Sequence, residues 1–323
     1  MSRYLRVLLS LYQKCGFSST STSPSPPLGP PNHKLEDRVS SRSLSRRQQS
    51  ASFSSTASSS SSSEEQSTDN TQQTRTTRED LDFSKLSQMI LDESPTGTQS
   101  IWYVMTAAAL LAFHHEPGVG DLWAYISRLM RGGRSTEDEQ IAVARRIREA
   151  CLKASVLVGF PRGINGLLAL HSSLASHSPH LLPTLTADTS LRAPLAPETK
   201  HARGKEFFAR IYARHTDRVL ASMAASSGGD LDHFAVASIY GELMAETSIV
   251  GDAETGLLEF VCCLADGVAP QAKGHFFGSR NLGASGAQVR GTVSLVRELA
   301  RQLGRDDPAG GDEFAFLDKA EAW

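Results

Sequence analysis

From residue 81 onward, apolar side chains recur at helical spacing, and nearly every run ends at Gly or Pro. Strand-type alternation is almost absent there, so the pattern leaves little room for anything but packed helices. The spacing predicts helices over 81–91, 99–114, 119–130, 136–158, 162–173, 203–225 and 230–246. Thr136-x-x-Glu139 forms a capping box at the start of the longest of them. On that helix Ile141, Ala144, Ile147, Cys151, Ala154 and Leu157 supply an inward face, while Arg145, Arg146, Arg148 and Lys153 read as mostly solvated. Residues 176–199 contain Pro179, Pro183, Pro194 and Pro197 and read as a long irregular connection.

The stretch from Asp252 to Ser285 carries the most chemistry. Leu257, Leu258, Val261, Cys262, Leu264 and Ala265 form an apolar helical stripe. Gly267 can adopt a positive φ and end that helix, and Pro270 can open the next at its first turn. The second helix holds Gln271, Lys273, Gly274, His275 and Gly278 and stops at Gly283. A last helix starts at Ser285 or Gly286 and runs to Leu303. An earlier segment, LKASVLVGFPRGING from Leu152, has the same order of apolar helix, Gly, Pro and a helix start of small and polar residues. Such an echo predicts two similar helical hairpins packed together.

Composition changes sharply before residue 81. Residues 21–80 are rich in Ser, Thr, Pro and Gln and cannot bury enough apolar surface to offset ordering entropy, so disorder is expected. Residues 1–20 include Arg3, Arg6 and Lys14 with no acid, and place Leu5, Leu8, Leu9 and Tyr12 on one helical face. That character predicts a mitochondrial presequence, hence a mitochondrial location. The domain proper is then 81–304, followed by an acidic, weakly structured tail at 305–323 without a recognised peroxisomal tripeptide. The net charge of −2 gives no basic field for nucleic acid. The longest apolar run, Ile101–Phe113, is too short to cross a membrane. The four cysteines are Cys15, Cys151, Cys262 and Cys263; none forms C-x-x-C, and no set of His and Cys has metal-ligand spacing. Buried Cys behaves as a small hydrophobe, which is the expectation for the last three.

Segments 148–170 and 239–285, with the helix that follows, resemble the carboxymuconolactone decarboxylase and alkylhydroperoxidase D-like superfamily, closest to its fungal mitochondrial-type branch. The resemblance covers about residues 81–304. It implies an all-α domain of the alkylhydroperoxidase D-like type, a homo-oligomer assembled through helical faces, and a small-molecule substrate. Peroxidase members carry Cys-x-x-Cys-x-x-x-His with an upstream Glu. With His275 on the family His, the two cysteine positions hold Val268 and Gln271, and the Glu position falls at Gly256, between Glu254 and Glu259. Thiol peroxidase chemistry, which needs an attacking and a resolving thiol, therefore ranks last. Decarboxylase members use no cofactor and work by acid–base chemistry. By that resemblance His275 with Glu254 or Glu259 would be catalytic. Gln271, Lys273, Tyr240, Arg162 and Asn165 would contact substrate. Lys273 could equally pair with Asp266 or Glu259 on the surface. The competing expectation is a non-catalytic structural or interaction protein that keeps the fold.

Overall fold

A computed structural model of the chain describes residues 81–90, 96–133 and 135–323. The expectations for residues 1–80, presequence and disorder included, lie outside the described residues. Among the described residues every regular element is helical, as the periodicity predicts.

The principal helices are α1 (Trp102–Ala112), α2 (Gly118–Gly132), α3 (Glu137–Val158), α4 (Phe160–His177) and α5 (Pro197–Tyr212). They continue with α6 (Thr216–Ser227), α7 (Asp230–Phe234), α8 (Asp252–Ala265), α9 (Ala269–Asn281) and α10 (Gly286–Gln302). Helix α7 runs directly into a π-helical segment, Ala235–Met244.

Helix α1 is the axis of the packing. All eleven of its residues are buried, Trp102, Tyr103, Met105, Leu110 and Leu111 completely. Each large apolar side chain sealed in this way contributes roughly 1.5–3 kcal/mol of transfer free energy. Helices α2, α3, α8 and α10 pack around it. The two helical pairs anticipated from the Gly and Pro breaks lie side by side, with α3 against α4, α8 against α9, and α3 against α8. Gly159 and Gly267 take positive φ at the two breaks, +120° and +68°.

A second, smaller apolar cluster joins α5 to the π-helical segment through Phe207, Phe208, Ile211, Tyr240 and Met244. The two elements touch backbone to backbone. A Cβ on Gly204 would lie 1.9 Å from the Val236 carbonyl oxygen, and one on Gly241 would lie 2.0 Å from the Lys200 oxygen.

Four expectations need correction. The helix expected over 203–225 starts earlier, at Pro197, and breaks at Tyr212, where Ala213 takes a positive φ of 46° before α6 resumes. The connection at 176–199 contains helical turns at Pro179–Leu181 and Leu182–Thr186. The acidic tail is ordered as a 3-10 helix, Asp312–Ala322, because Phe314 and Phe316 are buried and Phe316 and Trp323 stack on Phe276 at 5.2 and 4.4 Å.

The fourth correction concerns the charged side of α3. Arg145 and Arg148 remain partly exposed and share Asp188, but Arg146 and Lys153 are buried. Arg146 Nη2 and Nη1 donate to the two Glu254 carboxylate oxygens at 2.5 and 3.2 Å. Its Nε donates to the Tyr103 hydroxyl at 2.9 Å and Nη1 to the Ile249 carbonyl at 2.9 Å. Burial alone would pull this guanidinium down, and the bonds to Glu254 and Tyr103 hold it above its ordinary value.

Removing one partner of a buried, hydrogen-bonded ion pair strands the other, at about 3–5 kcal/mol. Arg146→Met should cost that much in urea unfolding, because the Glu254 carboxylate loses its buried counter-charge and keeps only the Gly251 N–H, and the Ile249 carbonyl loses the Arg146 donor. Arg145→Met, one residue away, breaks a partly exposed pair and should cost about 1 kcal/mol or less. Equal losses at the two positions would contradict the distinction.

Candidate functional site

His275 and Glu259 meet where α8 and α9 cross. Gly256, one turn before Glu259, lets the crossing close, because a Cβ there would lie 2.9 Å from Ser279 Cα. His275 Nδ1 sits 3.4 Å from Glu259 Oε2. That separation is just beyond an ordinary N–H···O bond. The Glu259 side chain is fully buried and that of His275 is 7 % exposed. Both Glu259 oxygens and His275 Nδ1 lack a hydrogen-bond partner. Such groups are rare in folded proteins, and each costs roughly 1–3 kcal/mol of desolvation.

Aromatic side chains wall the pair. Tyr212, at the C-terminal end of α5, is half-buried and lies 6.1 Å from the His275 ring, centroid to centroid. It is hydrogen-bonded to Tyr240, which the π-helical segment brings in. Phe208 packs against both rings, 4.4 Å from Tyr212 and 4.9 Å from Tyr240. Burial pushes the Tyr240 phenol well above its usual range, with Tyr212 and Glu259 adding to the effect. The π-helical register is visible in the bond from Ala245 N–H to the Tyr240 carbonyl at 2.8 Å. Single π-turns recur at functional sites because they re-aim a side chain out of helical register.

Lys153 approaches from α3. Its ammonium donates to the carbonyls of Met244 and Glu246 at 3.2 and 2.6 Å and to Thr255 Oγ1 at 2.7 Å. Burial lowers it to about 8, against the opposing pull of Glu149 and, more weakly, Glu259. Thr255 and Glu259 are one turn apart on α8, so Lys153 anchors the segment that presents the carboxylate.

The remaining expected residues fall in three places. Glu254 is occupied by Arg146 and by the Gly251 N–H, 2.6 Å away, so of the two acids offered for His275 the structure supplies Glu259. Gln271 is exposed, one turn before His275 on the same helix. Lys273 is exposed and pairs with neither Asp266 nor Glu259. Arg162 belongs to another junction, 3.4 Å from the Ala112 carbonyl and 4.0 Å from Asp266, and Asn165 is exposed on α4. Tyr240 joins the pair.

Tyr212 and Lys153 were missed. Lys153 could have been found from its place between Ala150 and Ala154 on the buried side of α3. Tyr212 had no signal, because it depends on the helix break at Ala213. Among the described residues no group of three or more His, Cys, Asp or Glu side chains is arranged to hold a metal ion.

These features define an all-helical protein with a buried carboxylate–imidazole pair walled by tyrosines. The chain is 34 % identical over 159 residues to Peroxisomal protein 2 of Schizosaccharomyces pombe, a match covering 49 % of this chain and 70 % of the relative. It is 30 % identical over 178 residues to Peroxisomal protein 2 of Saccharomyces cerevisiae, covering 50 % of this chain and 61 % of that protein. The chain belongs to the Peroxisomal protein 2 family. No family model and no solved structure matches it. Both relatives are named for the peroxisome, which overturns the mitochondrial location expected from residues 1–20. No described helix is long and apolar enough to cross a membrane.

Burial is the leading cause of raised thiol pKa values here, taking Cys151 and Cys263 to about 12 and Cys262 well above its ordinary value. A thiol reacts as its thiolate. Native protein treated with iodoacetamide near pH 8 should therefore leave Cys151, Cys262 and Cys263 unmodified by mass spectrometry, and all three should label in denaturant. Rapid native labelling of Cys262 or Cys263 would contradict this and reopen thiol chemistry.

Proposed function

We propose that the protein is a peroxisomal, cofactor-independent acid–base enzyme of the carboxymuconolactone decarboxylase-like kind, with Glu259 and His275 as its working pair. One observation carries the reading: a fully buried carboxylate faces an imidazole, and neither group has the hydrogen bonds that a purely structural pair would be expected to acquire. The missing C-x-x-C and the protonated thiols argue against the peroxidase branch. The peroxisomal part rests on the names of the two relatives.

In this reading the substrate is a small lactone carboxylate. Loss of CO2 breaks the C–C bond to the carboxylate and leaves its electron pair delocalised into the lactone carbonyl as an enolate. His275 then gives a proton to the enolate carbon and recovers one from solvent. Glu259 faces Nδ1, which leaves Nε2 to meet the reactant. Tyr212 and Tyr240 exclude water from one side, and Gln271 lies at the exposed approach. The enzyme works as a homo-oligomer. The competing reading, a bridge between two helices with no chemistry, draws on the near-complete burial of the pair.

A panel of lactone carboxylates, assayed for CO2 release with the full-length protein, tests the proposal. General acid–base groups contribute about 10²–10⁴-fold. Turnover should fall by at least about 100-fold in Glu259→Gln and in His275→Asn, each with native circular dichroism. Turnover that survives both substitutions, or that no member of the panel supports, counts against it.

A further inference from the structure

Helix α4 turns its small side inward and its large apolar side outward. Its buried positions include Gly163, Gly166 and Ser173. A Cβ on Gly163 would come within 2.3 Å of Ser155 Cβ, and one on Gly166 within 2.6 Å of Leu111 Cδ2, so α4 lies tight against α3 and α1. Outside, Phe160 is 66 % exposed, Ile164 43 % and Leu168 61 %, with Val156 at the end of α3 38 % exposed. Phe160, Ile164 and Leu168 are spaced i, i+4, i+8 and form one continuous stripe along the helix.

The rest of that exposed face is Pro, Asn, Ser, Ala and His; it includes no Lys, Arg, Asp or Glu. Arg162, the sole permanently charged residue in α4, is turned toward the Ala112 carbonyl and Asp266. An exposed helix without charge on its outer face is unusual for a solvated surface.

We propose that this stripe is the contact between two copies of the chain, related by a two-fold axis that crosses α4 near Ile164. The proposal rests on the homo-oligomer reading given above. A two-fold interface places each residue near the axis opposite itself, so any charge there would face its like. A charge-free stripe removes that repulsion, and antiparallel apposition about Ile164 sets Phe160 against Leu168 of the partner subunit. Membrane-lying helices flank their apolar face with Lys and Arg, which this face lacks. A strongly charged protein partner would find nothing to pair with. The exposed apolar side chains offer roughly 300–400 Å² per copy, a large share of the apolar part of a standard interface of about 800 Å² per partner.

The test is the mass of the full-length protein by size-exclusion chromatography with light scattering, for wild type, Ile164→Glu and Ile164→Lys. Wild type should run as a dimer or an even multiple of the 34.8 kDa chain. Each variant alone should dissociate, its apparent Kd rising at least about 100-fold through like-charge juxtaposition, with circular dichroism unchanged. Mixing the two variants in equal amounts should restore the wild-type mass, which a surface merely damaged by substitution would not do. A wild type that stays oligomeric while both variants do the same removes α4 from the interface and leaves the homo-oligomer reading standing. A wild type that is monomeric up to about 100 μM, far above the Kd of standard interfaces, overturns both. So does a monomeric wild type that floats with phosphatidylcholine vesicles through this stripe.

Discussion

Three charged side chains on α3 enter the interior, and the surrounding structure is arranged to meet them. Arg146, Glu149 and Lys153 lie on one side of the helix at i, i+3 and i+7. Leaving any of them unpaired would cost several kcal/mol. Arg146 is met by Glu254, Tyr103 and the Ile249 carbonyl. Glu149 accepts from Arg192, whose Nε also reaches the Glu242 carbonyl at 3.1 Å. Lys153 is met by Thr255 and by two carbonyls at the end of the π-helical segment. These bonds fix the register of α3 against α8 and hold the turn that leads into α8. They also hold the connection that carries Arg192. Because Glu254 and Thr255 are pinned, the next turn of α8 has no freedom about where it presents Glu259.

The contrast between the two polar clusters is the basis of the functional reading. Around α3 each buried charge has close polar partners. One helical turn further along α8, Glu259 is just as buried, and neither it nor His275 Nδ1, which faces it from α9, has any of those bonds. A carboxylate in such surroundings could have been satisfied by a serine or a backbone N–H, as Glu254 is by Gly251. The fold instead sets Tyr240 near it and Tyr212 beside the imidazole, and brings Tyr240 there through a helix of irregular register. Poorly satisfied polar groups in apolar walls are where reactants find unspent hydrogen-bonding capacity.

Much of the architecture was legible because local rules and tertiary packing agree. The capping box at Thr136, the helix start at Ser285 and the glycine stops at Gly267 and Gly283 fall where the sequence places them. His275 stood out as the lone His in a run of small and polar residues, and Glu259 came with it as one of two acids at the right distance. The failures share a cause: each depended on a partner distant in sequence. Arg146 and Lys153 look like surface residues until Glu254 and Thr255, about a hundred positions away, are seen to face them. Ala213 gives no hint of a residue with positive φ, and the break there falls where α5 ends beside the π-helical segment. Phe316 and Trp323 sit in an acidic stretch whose composition hides that they cover Phe276. An amphipathic, arginine-bearing N-terminus also described an address that the relatives' names contradict.

If the buried pair is retained for chemistry, the fold carries it at a loss. The most direct measurement is the unfolding free energy of Glu259→Met/His275→Leu in urea, with the wild type alongside. Replacing unsatisfied polar groups by apolar groups of similar volume should be neutral or stabilising, by roughly 1–3 kcal/mol, while any turnover disappears. A loss of several kcal/mol would mean that the carboxylate and imidazole hold α8 to α9, and that the pair belongs to the architecture and not to a reaction.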